Sequence, residues 1–467
     1  MCGIAGYTSR SGANATTQVM IQLYAQQHRG QESGGIVVSS GEALRSHKTM
    51  GYIKEGFTPD ILDRMEGPMA IGHVRYPTRG TSNLDMTQPY VIETLSGPAY
   101  AIASNGDIVN YEAIANELRV HGVHFNSKND GELLGRFIVF YHERRNLSVL
   151  EAIKLLMKRV KGAYSALFMT RDCLYVFRDR QGFRPLNIGI AEDGDIAVAS
   201  ESCAIDLMRC EDYREVEPGE IVVITPTTHY SVRESGDLAL GEPEPPRHHC
   251  VFELIYFARP DSAQFNEYVY EVRHKIGARL AAYDDFDADV AVPVPDSANF
   301  IAMGYARAKN IPYAMALIRN HYVGRTFIRP DQNTRDEGVR QKFNPLRDFF
   351  DGKKVVLVDD SIVRGTTIRK LVRMVKGAGA AEVHLRIGSP PVTHSCYYGI
   401  DTPDPATLIA NRMSLDAIRE HLCADSLKYL HVDDLRECVK TPRQFCYACF
   451  TGNYPLPRED SSGGTTC

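Results

Sequence analysis

Nowhere does the sequence hold an apolar run approaching the ~18 residues of a membrane helix. The longest, such as Phe137–Tyr141, have the length of a core strand or part of a core helix. The start, Met1-Cys2-Gly3-Ile4, lacks the basic and apolar regions of a secretory signal. A cytoplasmic location is therefore expected, and with it reduced thiols. Basic excess is missing too. Lys and Arg number 53 against 58 Asp and Glu, a formal charge of −5, which argues against nucleic acid or an anionic membrane as a partner. Internal repeats and low-complexity tracts are absent. So is tryptophan, which excludes nothing. What is present is ordinary for a globular chain: 43% hydrophobic and 24% charged residues over 467 positions. That length suits about two or three domains.

Two halves are expected, 2–235 and 250–467, joined by a linker over 236–249. In the linker Gly236, Gly241, Pro243, Pro245 and Pro246 punctuate and nothing periodic spans the stretch. The first half is rich in short β-like runs (Met69–Tyr76, Ala99–Ser104, Ala163–Thr170, Ile196–Ser200), with a helical period over Leu147–Lys161. The second half alternates. Helical stretches at Asn266–Asp284, Asn299–Lys309 and Thr366–Lys376 interleave with strand-like runs at Asp289–Val294, Lys354–Val358 and Glu382–Ile387. That order implies βαβ units and a parallel sheet.

Removal of Met1 would leave Cys2 with a free amine. A thiol beside an α-amino group is a nucleophile with its own base, since the amine titrates near ~8 and the thiol near ~8.5. Four motifs follow in order: Gln27-His28-Arg29-Gly30-Gln31-Glu32-Ser33-Gly34-Gly35, Gly72-His73-Val74-Arg75-Tyr76, Ser104-Asn105-Gly106-Asp107 and Asn129-Asp130-Gly131-Glu132. With Cys2 they resemble the class II glutamine amidotransferase (glutaminase) domain. The resemblance implies an α+β N-terminal nucleophile fold of four layers, αββα. It also implies roles: the Asn105 side-chain amide and the Gly106 N–H as oxyanion donors, Arg75 on the substrate carboxylate and Asp130 on its ammonium. Read by themselves, Arg75 could be a surface ion pair and Asp130 the cap of a helix over Gly131–Val139. Ser104, Asp107, Pro77 and Arg79 depart from the family's usual residues, none at a reacting atom.

Val355-Val356-Leu357-Val358-Asp359-Asp360-Ser361-Ile362-Val363-Arg364-Gly365-Thr366-Thr367 is the most informative string. It reads as a buried strand, two carboxylates at its C-terminal end where open α/β sheets bind ligands, and a hydroxyl-rich loop opening onto a helix N-terminus suited to phosphate. The Gly-Lys-Ser/Thr ending of a P-loop is missing. The string resembles the 5-phosphoribosyl-1-pyrophosphate (PRPP) motif of type I phosphoribosyltransferases, an α/β fold with a parallel sheet. By that resemblance Asp359 and Asp360 meet the ribose hydroxyls and Mg²⁺, with Ser297 of Val294-Pro295-Asp296-Ser297 as a further Mg²⁺ contact. Ser361, Arg364, Gly365, Thr366 and Thr367 fall in the loop that cradles the 5′-phosphate. Arg325, Arg340 and Lys342 belong to a cation-rich loop expected to close on PRPP. Arg319 and His321 replace the family's usual Lys and Arg, and Arg329 reads by itself as part of a solvated basic stretch.

Eleven cysteines are present. Cys446-Tyr447-Ala448-Cys449 alone fits zinc, redox or cluster chemistry, and four thiolates suit Zn²⁺ or an Fe–S cluster equally. The contexts of Cys250, Cys396, Cys446 and Cys449 resemble the cluster-bearing branch of one family, which implies a structural [4Fe–4S] cluster. Cys173, Cys203, Cys210, Cys423 and Cys438 read as ordinary thiols. From Cys2 to Pro455 the combination resembles the glutamine phosphoribosylpyrophosphate amidotransferases. That family releases ammonia from glutamine and delivers it to PRPP, giving 5-phosphoribosylamine, glutamate and pyrophosphate in the first committed step of purine synthesis. The resemblance implies one Mg²⁺ and one cluster per subunit, feedback by purine nucleotides, and a homo-oligomer, dimer or tetramer. A paralogue serving a specialised pathway and a non-catalytic PRPP sensor stay open as readings. The Asp359–Thr367 string argues against an amidotransferase of the hexosamine or asparagine type.

Overall fold

In the computed structural model, which describes residues 1–76, 83–94, 97–233, 245–322 and 341–456, the β-like runs of the first half become two antiparallel sheets. Their strands are β1 (Gly3–Thr8), β2 (Ser33–Ser39), β3 (Leu44–Met50), β4 (Met69–Arg75), β5 (Tyr90–Thr94), β6 (Gly97–Ile108), β7 (Gly162–Met169), β8 (Leu174–Arg178), β9 (Asn187–Ile190), β10 (Ile196–Ala199), β11 (Asp212–Glu215), β12 (Glu220–Ile224) and β13 (His229–Arg233). One sheet runs β11-β9-β10-β1-β4-β2-β3 and the other β13-β12-β8-β7-β6-β5.

The strand sequences explain the layering. A sheet covered on both faces must be apolar at successive residues, not alternate ones. Along β4, Met69 and Ile71 enter a core with Ala101, Leu167 and Val176 of the second sheet. Ala70 and Val74 enter another with Val19 and Leu23 of the helix Ala15–Ala25. The second sheet's outer face, through Ile102, Tyr164 and Phe168, packs on helices Asp130–Arg145 and Val149–Arg159. The order is helix, sheet, sheet, helix. The second of these helices is set by a complete capping box, Ser148 with Glu151.

The second half begins with β14 (His249–Cys250), β15 (Ala263–Gln264) and β16 (Glu267–Tyr268). Then β17 (Val290–Pro293), β20 (Lys354–Asp359), β21 (Glu382–Ile387) and β22 (Ser426–Tyr429) form a parallel sheet in the order β17-β20-β21-β22. A small antiparallel pair, β18 (Leu317–Arg319) with β19 (Phe343–Pro345), flanks it, and β23 (Phe445–Cys446) returns to pair with β14. Along β20, Val355 and Leu357 pack toward helix Thr366–Gly377. Val356 and Val358 pack toward helices Val269–Ala281 and Asn299–Lys309. The first of these is shorter than the expected Asn266–Asp284, because Glu267 and Tyr268 are taken by β16. His248 and His249, the last residues of the expected linker, are packed: the His248 N–H donates to the Gln181 carbonyl (2.8 Å) and His249 Nδ1 lies 2.7 Å from that of Gly182. Among the described residues no helix is long and apolar enough to cross a membrane.

Candidate active sites and a thiol-lined cavity

β1 lies at the centre of the first sheet, and its register with β4 pairs Gly3 with Val74. Cys2 therefore emerges beside Arg75. From the second sheet, Asn105 on β6 meets it: the Cys2 N–H donates to Asn105 Oδ1 at 3.1 Å. Asn105 is buried and its Nδ2 has no hydrogen-bond partner among the described residues. Gly106 fits only as glycine, since a β-carbon there would fall 1.8 Å from the Ala163 carbonyl oxygen of β7.

Arg75 is buried rather than on the surface, with Nη1 donating to Glu32 Oε2 at 2.6 Å and Nε without a partner among the described residues. Glu32 and the nearby His73 lie inside two of the motifs, and the motifs alone assign them no role. His73 is fully buried, neither ring nitrogen closes a hydrogen bond among the described residues, and burial, with Arg75 adding, pulls its pKa down to about 3. Asp130 opens its helix but does not cap it. Asn129 does, its side chain accepting from the Gly131 N–H at 2.8 Å.

Met1 is 1% exposed and packs with Cys250, Val251 and Phe252 of the second half. Burial pulls its amine down to about 6. Below it runs an ion-pair network that the motifs did not announce. Arg29 Nε donates to the Cys2 carbonyl (3.0 Å), Nη1 to Glu201 (2.6 Å) and Nη2 to Glu253 (2.7 Å). Glu201 also accepts from the Arg259 N–H and the Ser262 hydroxyl, both at 2.9 Å. Burial alone would raise the Glu201 carboxyl; His28 and Arg29 hold it below the usual carboxylate range. The Arg259-Pro260-Asp261-Ser262 segment thus anchors the second half onto the first.

In the second half, β20 ends at Asp359 and helix Thr366–Gly377 follows. Gly365, the residue before the helix, has φ 75°, and a β-carbon there would meet Ile409 Cδ1 at 2.8 Å. Only glycine takes this turn without cost. Ser297 and Ser361 donate their hydroxyls to the two oxygens of Asp360. Burial pushes both Asp359 and Asp360 up, and for Asp359 the Asp360 charge adds to it. Arg364, Thr366 and Thr367 are exposed around the loop. Lys342 lies over the Phe343 ring at 5.3 Å and its charge reaches Asp359. Arg319 pairs with Asp296. Arg325, Arg329 and Arg340, with Pro77 and Arg79 of the first half, lie outside the described residues.

No three His, Cys, Asp or Glu side chains among the described residues converge on a single ion. Mg²⁺ needs no such cage, because one or two carboxylates plus substrate oxygens suffice. The Asp359–Asp360 pair, crowded and raised, fits that demand. The four expected cysteines do share one place. Cys250, Cys396, Cys446 and Cys449 line a pocket with Phe183, Arg184, Phe252 and Tyr398. Burial pushes the Cys250 thiol up, the Cys446 thiol to about 12 and the Cys449 thiol far above its ordinary value. A bound cation would offset that burial and favour the thiolates. Four thiols lining one cavity fit a metal centre, and their chemistry suits a zinc ion or an iron–sulfur cluster alike.

The architecture defines a class: a glutaminase-type four-layer half joined to a phosphoribosyltransferase-type half. Residues 83–206 match the model of a glutamine amidotransferase domain, and 267–387 that of a phosphoribosyl transferase domain. The chain is 42% identical over 459 residues to an amidophosphoribosyltransferase of Methanothermobacter thermautotrophicus, covering 98% of this chain and 94% of that one. It is 41% identical to that of Methanocaldococcus jannaschii, covering 97% and 98%. A solved glutamine PRPP amidotransferase from B. subtilis, complexed with ADP and GMP, superposes with a TM-score of 0.89 at 40% identity, covering 98% of each chain. The chain belongs to the amidophosphoribosyltransferase family.

Proposed function

We propose that this protein takes ammonia from glutamine at Cys2 and delivers it to PRPP, giving 5-phosphoribosylamine, glutamate and pyrophosphate. The observation that carries the reading is the pairing in one chain of Cys2 and Asn105 (3.1 Å apart through the Cys2 N–H) with the Asp359–Thr367 loop at the mouth of a parallel sheet.

Loss of Met1 frees the Cys2 amine to act as base for its own thiol. The thiolate attacks the glutamine side-chain carbonyl, and the oxyanion forms against Asn105 Nδ2 and the Gly106 N–H. Collapse expels ammonia and leaves a glutamyl thioester, which water hydrolyses to glutamate. Arg75, released in part from Glu32, grips the substrate carboxylate, and Asp130 its ammonium. In the second half the backbone and hydroxyls of Ser361–Thr367 hold the 5′-phosphate at the helix N-terminus. Asp359 and Asp360 hold the ribose hydroxyls and, with Ser297 behind them, the site for Mg²⁺. When bound, Mg²⁺ offsets the charge of the leaving pyrophosphate. Arg325, Arg340 and Lys342 grip the pyrophosphate. Ammonia then attacks C1 of PRPP and displaces pyrophosphate.

Cys250, Cys396, Cys446 and Cys449 hold a structural [4Fe–4S] cluster, and purine nucleotides inhibit a homo-oligomer in the cytoplasm. A sensor without catalysis is the weaker reading, since it needs no buried oxyanion donor beside Cys2. The test is Cys2→Ser, assayed with PRPP and either glutamine or ammonium. Loss of the glutamine-dependent reaction with the ammonium-dependent one retained is expected. Retention of glutamine-dependent product formation would overturn the assignment of Cys2.

A further inference from the structure

The pocket ringed by four cysteines has one cationic wall, and it comes from the other half of the molecule. Arg184 lies between β8 and β9 of the glutaminase half, yet lines this pocket together with Cys250, Cys396, Cys446 and Cys449. It is fully buried. Its Nη1 touches Met1 Sδ and lies 3.6 Å from Glu253 Oε1. Its Nε and Nη2 are buried and find no hydrogen-bond partner among the described residues. Nε sits against the loop that follows Cys396: a β-carbon on Gly399 would lie 3.4 Å from it.

A buried guanidinium with two idle N–H groups is costly, because each donor has given up water for nothing. The cost vanishes if an acceptor of opposite charge fills the pocket. A cluster bound by four thiolates is such an acceptor: it is anionic, and hydrogen bonds to its sulfurs and nearby charge set its potential.

We propose that Arg184 is the hydrogen-bond donor and counter-charge of the cluster, supplied across the domain boundary by the glutaminase half. The proposal rests on the reading of the four cysteines as cluster ligands. It adds that the cluster is held between the two halves, so that its environment reports on their docking. The part of Arg184 in that proposal is to position and balance the cluster, not to react.

Reduction adds negative charge to a cluster, and a cation alongside favours the reduced form. Removing the cation should therefore make the potential more negative and expose the sulfurs to attack. The experiment uses the full chain purified anaerobically, as wild type, Arg184→Gln and Arg184→Lys. Iron and acid-labile sulfide are counted per chain, the cluster potential is measured by spectroscopic titration, and cluster loss in air is timed. Wild type is expected to carry iron and sulfide in the ratio of a [4Fe–4S] cluster. Arg184→Gln is expected to accept the cluster but lose it about 10-fold faster or more, at a more negative potential. Arg184→Lys keeps the charge without the planar fork and should shift less, in the same direction; it decides the matter if Arg184→Gln does not fold. A variant whose potential and air lability equal those of wild type overturns the role of Arg184 alone. Wild type carrying zinc, or no iron and sulfide, overturns the cluster reading and the inference with it.

Discussion

Asn105 lends its carbonyl end to the Cys2 amide and keeps Nδ2 buried and unspent. An unspent donor is what a developing oxyanion requires. Asn105→Ala should lower kcat with glutamine by about 10²–10³ while leaving the ammonium-dependent rate with PRPP near wild type. Equal losses with both nitrogen donors would mean that Asn105 serves the fold instead. His73 makes a different prediction. Folded, its pKa is pulled down to about 3 by burial and by Arg75; unfolded, it lies near ~6.5. Between those values the unfolded chain binds a proton that the folded chain does not. Stability from this residue is therefore present above about 6.5 and is lost as pH falls toward 3. Melting temperature against pH should fall less steeply on the acid side for His73→Gln than for wild type, and parallel curves would refute it.

At the scale of elements, the phosphate loop shows how far a local sequence can be read. Four apolar residues, two carboxylates and a Gly-Thr-Thr opening name a strand, a ligand end and a helix start, and β20 and the helix Thr366–Gly377 stand there. The helix Asn299–Lys309 and strand Glu382–Ile387 also fall where periodicity placed them. These signals are short-range. Asn129 takes the cap expected of Asp130 because its side chain reaches the Gly131 N–H, and adjacent Asx residues compete for that place on nearly equal terms. The partners Glu32, Glu201 and Glu253 were not legible. Each is an ordinary carboxylate whose meaning comes from long-range contact, Glu253 lying 224 residues from Arg29. The turn at Gly365 supports a direct test. Gly365→Ala places a side chain at φ 75° against Ile409, costing about 1–2 kcal/mol. The KM for PRPP should rise about 10-fold, as 1.4 kcal/mol implies, while the basal hydrolysis of glutamine without PRPP stays unchanged. An unchanged KM would show that the loop does not hold the phosphate.

Across the whole molecule, the two halves meet through buried charge. Arg29 touches the Cys2 carbonyl with one nitrogen and Glu253 of the second half with the others. A shift of the Glu253 segment thus acts, through Arg29, on the backbone of the nucleophile's own residue. Glu253→Ala leaves part of the Arg29 charge uncompensated and should cost about 3–5 kcal/mol of stability, read by thermal unfolding, together with a smaller effect of PRPP on glutamine hydrolysis. Coupling of the halves is the central claim, and the most direct measurement is glutamate release from glutamine with Mg²⁺, with and without PRPP, on anaerobically purified protein. Strong stimulation by PRPP is expected, with pyrophosphate formed one for one with glutamate. Glutamate release indifferent to PRPP, or without matching pyrophosphate, would contradict it.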